Sequence, residues 1–211
     1  MNMNLARLSR REFGLGLGAL AASACLPGHA KSPVNVVKIL SFSCSFCRDS
    51  EVHDTAISRV VQEYGGRFVS APVPTHPEDF VGAKERVYYA ARDIDARLGE
   101  AVKQSLYKGT QDQGQLLFDY MPLYAWLSGD IPQFDSKMTE LFEKAKASAA
   151  QGAMQRAVRL AVSAGVDAVP NYLLLRDGQV IAGYDRVHPQ APTLSALREL
   201  VIEAVRRESK E

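Results

Sequence analysis

Two cysteines set two residues apart, where a strand feeds into a helix, constrain this chain more than any other feature. The stretch is Phe42-Ser43-Cys44-Ser45-Phe46-Cys47. Before it runs an apolar segment, Val34 to Leu40, and after it a helix-like segment, Asp49 to Tyr64. A helix start carries unpaired backbone N–H groups and the positive end of the dipole, and both favour an anion. The Cys44 thiolate is that anion. A free thiol titrates at about 8.5, and a helix start in a Cys-x-x-Cys pair lowers this by one to several units. Cys47, one turn further in, is placed to close a disulfide with Cys44 or to resolve a mixed one. The chain must therefore fold so that one strand ends beneath one helix start.

The rest of the composition excludes more than it asserts. A chain of 211 residues, 46% hydrophobic and 23% charged, builds one well-cored domain or one domain with a sizeable insertion. With a net charge of +1, neither nucleic acid nor an anionic membrane is expected as a partner. Three cysteines, Cys25, Cys44 and Cys47, cannot make a disulfide framework.

The first thirty residues read as an address. Ser9-Arg10-Arg11-Glu12-Phe13 precedes a short Gly- and Ala-rich apolar run. That layout is a secretory signal, and its basic pair resembles a twin-arginine export signal. The run is about a dozen residues, short of the roughly 20 that span a bilayer. Gly28-His29-Ala30 supplies small residues for cleavage after Ala30, so that residues 1–30 are removed. The competing reading is a basic tail on a cytosolic protein. Cys25 follows Ala22-Ser23-Ala24, a weak lipoprotein box with Ala22 in place of the usual Leu. It is either a lipidation site or an inert cysteine of the signal. Export gives the pair its work: in an oxidising compartment there are thiols to oxidise and wrong disulfides to repair.

From Lys31 the pattern is strand, helix, strand, helical block, hairpin, helix. Val34 to Ser41 is a nearly continuous apolar run, suited to a central strand buried on both faces. In the next helix Val52, Ala56, Val60 and Val61 form the expected buried stripe, and Gly65-Gly66 ends it. Arg67 to Val73 is the second strand. Helical segments are predicted at 78–97, 99–107, 113–126, 136–150 and 153–164, punctuated by Gly109, Gly129 and Gly152. Asn171 to Leu175 and Gln179 to Gly183 flank Asp177-Gly178, a strong hairpin turn. Pro192 to Arg207 is an amphipathic helix with Leu194, Leu197, Val201, Ile202 and Val205 on one face.

This order, with Cys-x-x-Cys at the first helix and Gly165-Val166-Asp167-Ala168-Val169-Pro170 ahead of the hairpin, resembles the thioredoxin fold. The helical insertion makes it similar to the DsbA-like branch, exported and periplasmic thiol–disulfide oxidoreductases. The resemblance implies an α/β thioredoxin fold: residues 34–77 as its N-terminal βαβ half, a helical insertion over 78–164, and a C-terminal ββα half over 165–208. It also implies a cis Pro170 facing the pair, with the Val169 backbone offered to an extended peptide. Phe42 and Phe46 flank the pair and are expected to give apolar contact to unfolded substrate. No cofactor is bound, since the Cys44–Cys47 disulfide is itself the redox group. The partners implied are protein or peptide thiols and a redox protein that recycles the pair.

Two residues depart from that pattern. Family members with strong oxidising power often carry Pro-His between the cysteines, where this chain has Ser45-Phe46. A lost imidazole means less stabilisation of the reduced form and a less oxidising disulfide. Six residues before the first cysteine the family commonly has a buried acid, and here stands Lys38. Either Lys38 snorkels to the surface without a role, or it lies near the pair and tunes it. Rival uses of the cysteines are weaker. Zinc needs four ligands, and His53, His76 and His188 have no ligand-like spacing to the pair. A copper- or client-binding chaperone without turnover is the alternative that survives, because an exported Cys-x-x-Cys pair holds Cu(I).

Overall fold

The computed structural model describes residues 32–210 apart from Pro77 and Phe80. The stretch expected to be an export signal, its expected cleavage site after Ala30 and Cys25 lie outside the described residues.

Four strands form one sheet in the order β2-β1-β3-β4. Strand β1 (Asn35–Leu40) runs parallel to β2 (Phe68–Pro72) and antiparallel to β3 (Asn171–Arg176), which pairs antiparallel with β4 (Gln179–Asp185). The apolar run of residues 34–40 becomes an inner strand because both its faces are covered. Pro72 is tolerated at the end of β2 because β2 is an edge strand, where a missing N–H breaks no ladder.

One face of the sheet is closed by α2 (Glu51–Glu63) and α8 (Leu194–Lys210). Val34, Val36, Tyr172 and Leu174 pack there against Ile57, Val60, Val61, Leu197, Val201 and Val205, all nearly or fully buried. The other face is closed by the helical block: α3 (Ala83–Ile94), α4 (Ala96–Tyr107), α5 (Tyr120–Asp130), α6 (Asp135–Lys146) and α7 (Ser148–Ser163). That block lies between β2 and β3 in the chain, as an insertion does.

Several boundaries differ from the predicted ones. Val52 is 78% exposed, so it leaves the expected stripe. The buried row is Ile57, Val60 and Val61, because a separate short helix, α1 (Ser45–Asp49), precedes α2 and the break at Ser50 resets the helical phase. The segment 78–97 does not run as one helix. Asp95 is extended and its Oδ1 accepts from Arg97 N at 2.7 Å and Leu98 N at 3.0 Å, which caps α4 and ends α3. Residues 108–112 form a π-helical turn that no local signal announced. The break near residue 150 falls at Ala147, and Gly152 sits inside α7. In an alanine-rich run neither periodicity nor propensity marks where one helix stops.

Candidate active site

The pair is set by the end of β1. Past Leu40 the chain turns, with Cys44 N donating to Ser41 O at 3.2 Å and Ser43 N to Ser41 Oγ at 3.2 Å. Ser41 Oγ also bonds Thr75 Oγ1 at 2.6 Å, tying the turn to the loop after β2. Cys44 is extended and is the N-cap of α1: its Sγ accepts from Cys47 N at 3.3 Å. Sulfur thus takes the position that a Ser or Asp oxygen holds in ordinary caps.

The two thiols have opposite electrostatics. Cys44 is half-buried and its thiol is lowered to about 6. The largest cause is the Cys47 S–H donating to its sulfur. Burial opposes this, while the N–H groups of Cys47 and Phe46 and the charge of Arg186 add to it. Cys47 has no exposed surface, and burial first, then its bond to Cys44, pushes its thiol well up. Only one of the two is a nucleophile near neutral pH.

Across from the pair stands the turn before β3. As a thiol, Cys44 donates to Val169 O at 3.4 Å. Val169 is half-buried, Pro170 is buried, and the bond between them is cis. A backbone carbonyl thus stands in front of the half-exposed sulfur.

Behind Cys47 lies a charge network. Lys38 is fully buried on the α2-facing side of β1. Its Nζ meets Asp54 Oδ2 at 2.7 Å, Glu51 Oε1 at 2.9 Å and the Cys47 carbonyl at 3.4 Å. The snorkelling reading is therefore corrected: two carboxylates on the first turn of α2 hold the ammonium inside. Lys103 pairs with the other Glu51 oxygen, and Tyr172 Oη donates to Asp54 Oδ1 at 3.2 Å. Burial lifts the Asp54 carboxyl to about 6 despite Lys38. Burial raises Glu51 too, but Lys38 and Lys103 outweigh it and hold that carboxyl below its usual range. Both carboxylates open onto a cleft of about 740 Å³ lined also by Arg59, Tyr88 and Arg92.

The described chain matches no protein-family model and no curated protein. It does match solved structures. The oxidoreductase NmDsbA1 from N. meningitidis is 16% identical, with a TM-score of 0.62 over 88% of this chain and 90% of that one. Proteus mirabilis DsbA with a non-covalently bound peptide, PWATCDS, is 14% identical, with a TM-score of 0.61 over 84% and 89%. The cytosolic disulfide reductase DsbM from Pseudomonas aeruginosa is 13% identical, with a TM-score of 0.57 over 82% and 99%. The chain has the DsbA fold. It is a thioredoxin fold with a helical insertion, as the order of elements had implied.

Within this DsbA fold the sequence-predicted residues separate. Cys44, Cys47, Val169, Pro170 and Lys38 come together. Phe42 is corrected: it has no exposed surface, and its ring packs edge-on against Tyr107 at 5.3 Å and Tyr88 at 5.9 Å. It belongs to the core joining β1 to the helical block and offers nothing to a peptide. Phe46 is 44% exposed beside the pair, and Ser45 is exposed. Sequence reasoning missed the π-helical turn. Gln111 Nε2 donates to Phe42 O at 2.9 Å and Cys44 O at 3.1 Å, and Asp112 pairs with Arg48 through both oxygens. It also missed Glu51 and Asp54, although their spacing on the helix after Cys47 puts both on one face, toward a buried lysine.

Among the described residues no group of three or more His, Cys, Asp or Glu side chains is disposed to hold a metal ion. Nor is any described helix long and apolar enough to cross a membrane.

Proposed function

We propose that this chain is an exported thiol–disulfide oxidoreductase that exchanges disulfides with protein substrates through Cys44 and Cys47. The observation that carries this reading is the asymmetry of the pair: a half-exposed thiol lowered to about 6 beside a fully buried one pushed up. At pH 7 a thiol of that kind is roughly 90% thiolate, against a few per cent for an ordinary cysteine.

In the oxidised form a substrate thiolate attacks the exposed Cys44 sulfur. The substrate–Cys44 bond forms as the Cys44–Cys47 bond breaks, and Cys47 leaves with the electron pair and takes a proton. A second substrate thiolate then displaces Cys44, which leaves as a stabilised anion. The reverse sequence reduces a substrate disulfide. Val169 pairs with the peptide backbone and Pro170 packs over the pair. Ser45 tunes the pair as the exposed residue after Cys44. Lys38 tunes it from behind, through the Cys47 carbonyl and the α2 carboxylates. The pair is the redox group, and a separate redox protein recycles it. Export is supported by Ser9-Arg10-Arg11-Glu12-Phe13, the apolar run after it and Gly28-His29-Ala30. The cysteine peptide on the Proteus mirabilis protein supports peptide substrates, and the reductase DsbM shares the fold, so the fold leaves the direction of electron flow to the chemistry of the pair.

The test is oxidative refolding of a reduced, unfolded disulfide protein by oxidised residues 31–211. Catalysed disulfide formation, abolished by Cys44→Ala, is expected. Cys47→Ala, given a substrate that already carries a disulfide, should accumulate a mixed disulfide at Cys44, as the Cys44 thiolate joins one substrate sulfur and the other leaves as a thiolate. Neither oxidation nor reduction of any thiol substrate would defeat the proposal, and stoichiometric Cu(I) capture without turnover would replace it with the binding alternative.

A further inference from the structure

The face that Cys44 presents to solvent carries a cation with no acidic partner among the described residues. Arg186 follows the last residue of β4. The pairing of Asn171 with Asp185 places it next to the Val169-Pro170 turn. Its guanidinium carbon lies 4.5 Å from the centroid of the Phe46 ring. Phe46 stands between the two cysteines and is 44% exposed, and Arg186 is itself exposed, so the guanidinium lies over a surface ring within reach of solvent. Among the described residues Arg186 makes neither an ion pair nor a hydrogen bond. The other cation here is taken, because Arg48 is held by both oxygens of Asp112. The neighbouring acid, Asp185, turns its carboxylate to Val187 N at 3.0 Å. The charge of Arg186 is felt at Cys44, whose thiolate it helps to hold.

We infer that Arg186 is a specificity-determining residue that selects peptides carrying Asp or Glu beside the reacting cysteine. This rests on the oxidoreductase reading above and names its substrate class. A peptide paired along the Val169 backbone puts its cysteine at Cys44, and its flanking residues must pass the Phe46–Arg186 ledge. A carboxylate there accepts hydrogen bonds from the unpaired N–H donors of the guanidinium. A lysine there meets repulsion. The ledge is half open to water, so the effect is that of one exposed ion pair: roughly threefold to fivefold in rate at low salt, fading as salt screens it.

The experiment uses oxidised residues 31–211 and three reduced cysteine peptides of equal length, with Glu, Gln or Lys next to the cysteine. Each rate is divided by that peptide's rate with an uncharged small disulfide, bis(2-hydroxyethyl) disulfide, which removes the effect of its own thiol pKa without adding a charge preference. The step read is the one already written, with the peptide sulfur joining Cys44 and Cys47 leaving. The Glu-to-Gln ratio cancels any change in the pair itself, so the readout is selectivity and not speed. The expected Glu-to-Gln ratio is roughly threefold to fivefold for the native protein, smaller but above one for Arg186→Lys, near one for Arg186→Gln and below one for Arg186→Glu, which should also come to favour the Lys peptide. A native ratio near one, or a ratio that Arg186→Glu leaves unchanged, overturns the inference while exchange itself stands. Absence of exchange with all three peptides refutes the oxidoreductase reading and the selectivity with it.

Discussion

Replacing Lys38 by methionine keeps the volume of the side chain and removes its charge. The lysine has no exposed surface, and the side chains of Glu51 and Asp54 are each 13% exposed. Removing one partner of a buried ion pair costs about 3–5 kcal/mol when the other is left uncompensated. Here Glu51 keeps Lys103, and both carboxylates reach the cleft, which places the loss at the low end, about 3 kcal/mol at pH 8. The loss should shrink in acid. Burial lifts Asp54 to about 6, above its ordinary 3.8, so the folded state holds that proton more tightly and stability falls as pH rises through that window. Without Lys38 the carboxyl rises further and the window extends above 6. At pH 5 Asp54 is protonated in both proteins, and the loss should be roughly 1.5 kcal/mol, that of a hydrogen-bonding partner. Urea unfolding of reduced residues 31–211 at pH 5 and pH 8 measures both numbers. A variant as stable as the parent at pH 8, or one that loses the same amount at both values, would refute the reasoning.

Other perturbations test other parts of the site. Cys47→Ala removes the strongest support of the Cys44 thiolate, so the inflection of Cys44 alkylation against pH, near 6 in the parent, should move up; an unmoved inflection would mean that the N–H groups and Arg186 suffice. Phe42→Ala should cost about 3–5 kcal/mol in chemical denaturation and Phe46→Ala less than about 0.5 kcal/mol, since one ring is core and the other surface. Gly66→Ala should cost about 3 kcal/mol or more, because a β-carbon there would lie 1.9 Å from Val34 O, a backbone atom that cannot step aside. A Gly66→Ala protein with the thermal midpoint of its parent would contradict that close approach.

How much of this could be read beforehand follows from the range of the interactions. The cysteine pair, the strand before it and the hairpin turn at Asp177-Gly178 are local patterns, and a sequence displays them directly. Lys38 was visible as an anomaly, but its burial depends on Glu51 and Asp54, 13 and 16 positions away in the chain. A lysine in an apolar strand reads as misplaced until its partners are known. Phe42 misled because a ring beside a cysteine looks like a substrate contact, while its packing against Tyr88 and Tyr107 depends on how the helical block folds back. Gln111 and Asp112, in the π-helical turn, and Arg186, just past β4, reach the surroundings of the pair from far along the chain, and nothing near them in sequence says so.

The central claim is that Cys44 and Cys47 form a reversible redox pair in which Cys44 is the thiolate. It is tested most directly by the reduction potential of residues 31–211 in glutathione buffers from pH 5 to pH 8. The account predicts a single two-electron transition whose potential falls by about 59 mV per pH unit below pH 6, where two protons accompany the electrons. Above pH 6 the slope should be about 30 mV, because only Cys47 still takes a proton. A slope of about 59 mV throughout would place the thiolate elsewhere, and a pair that never forms a reversible disulfide would contradict the account at its root.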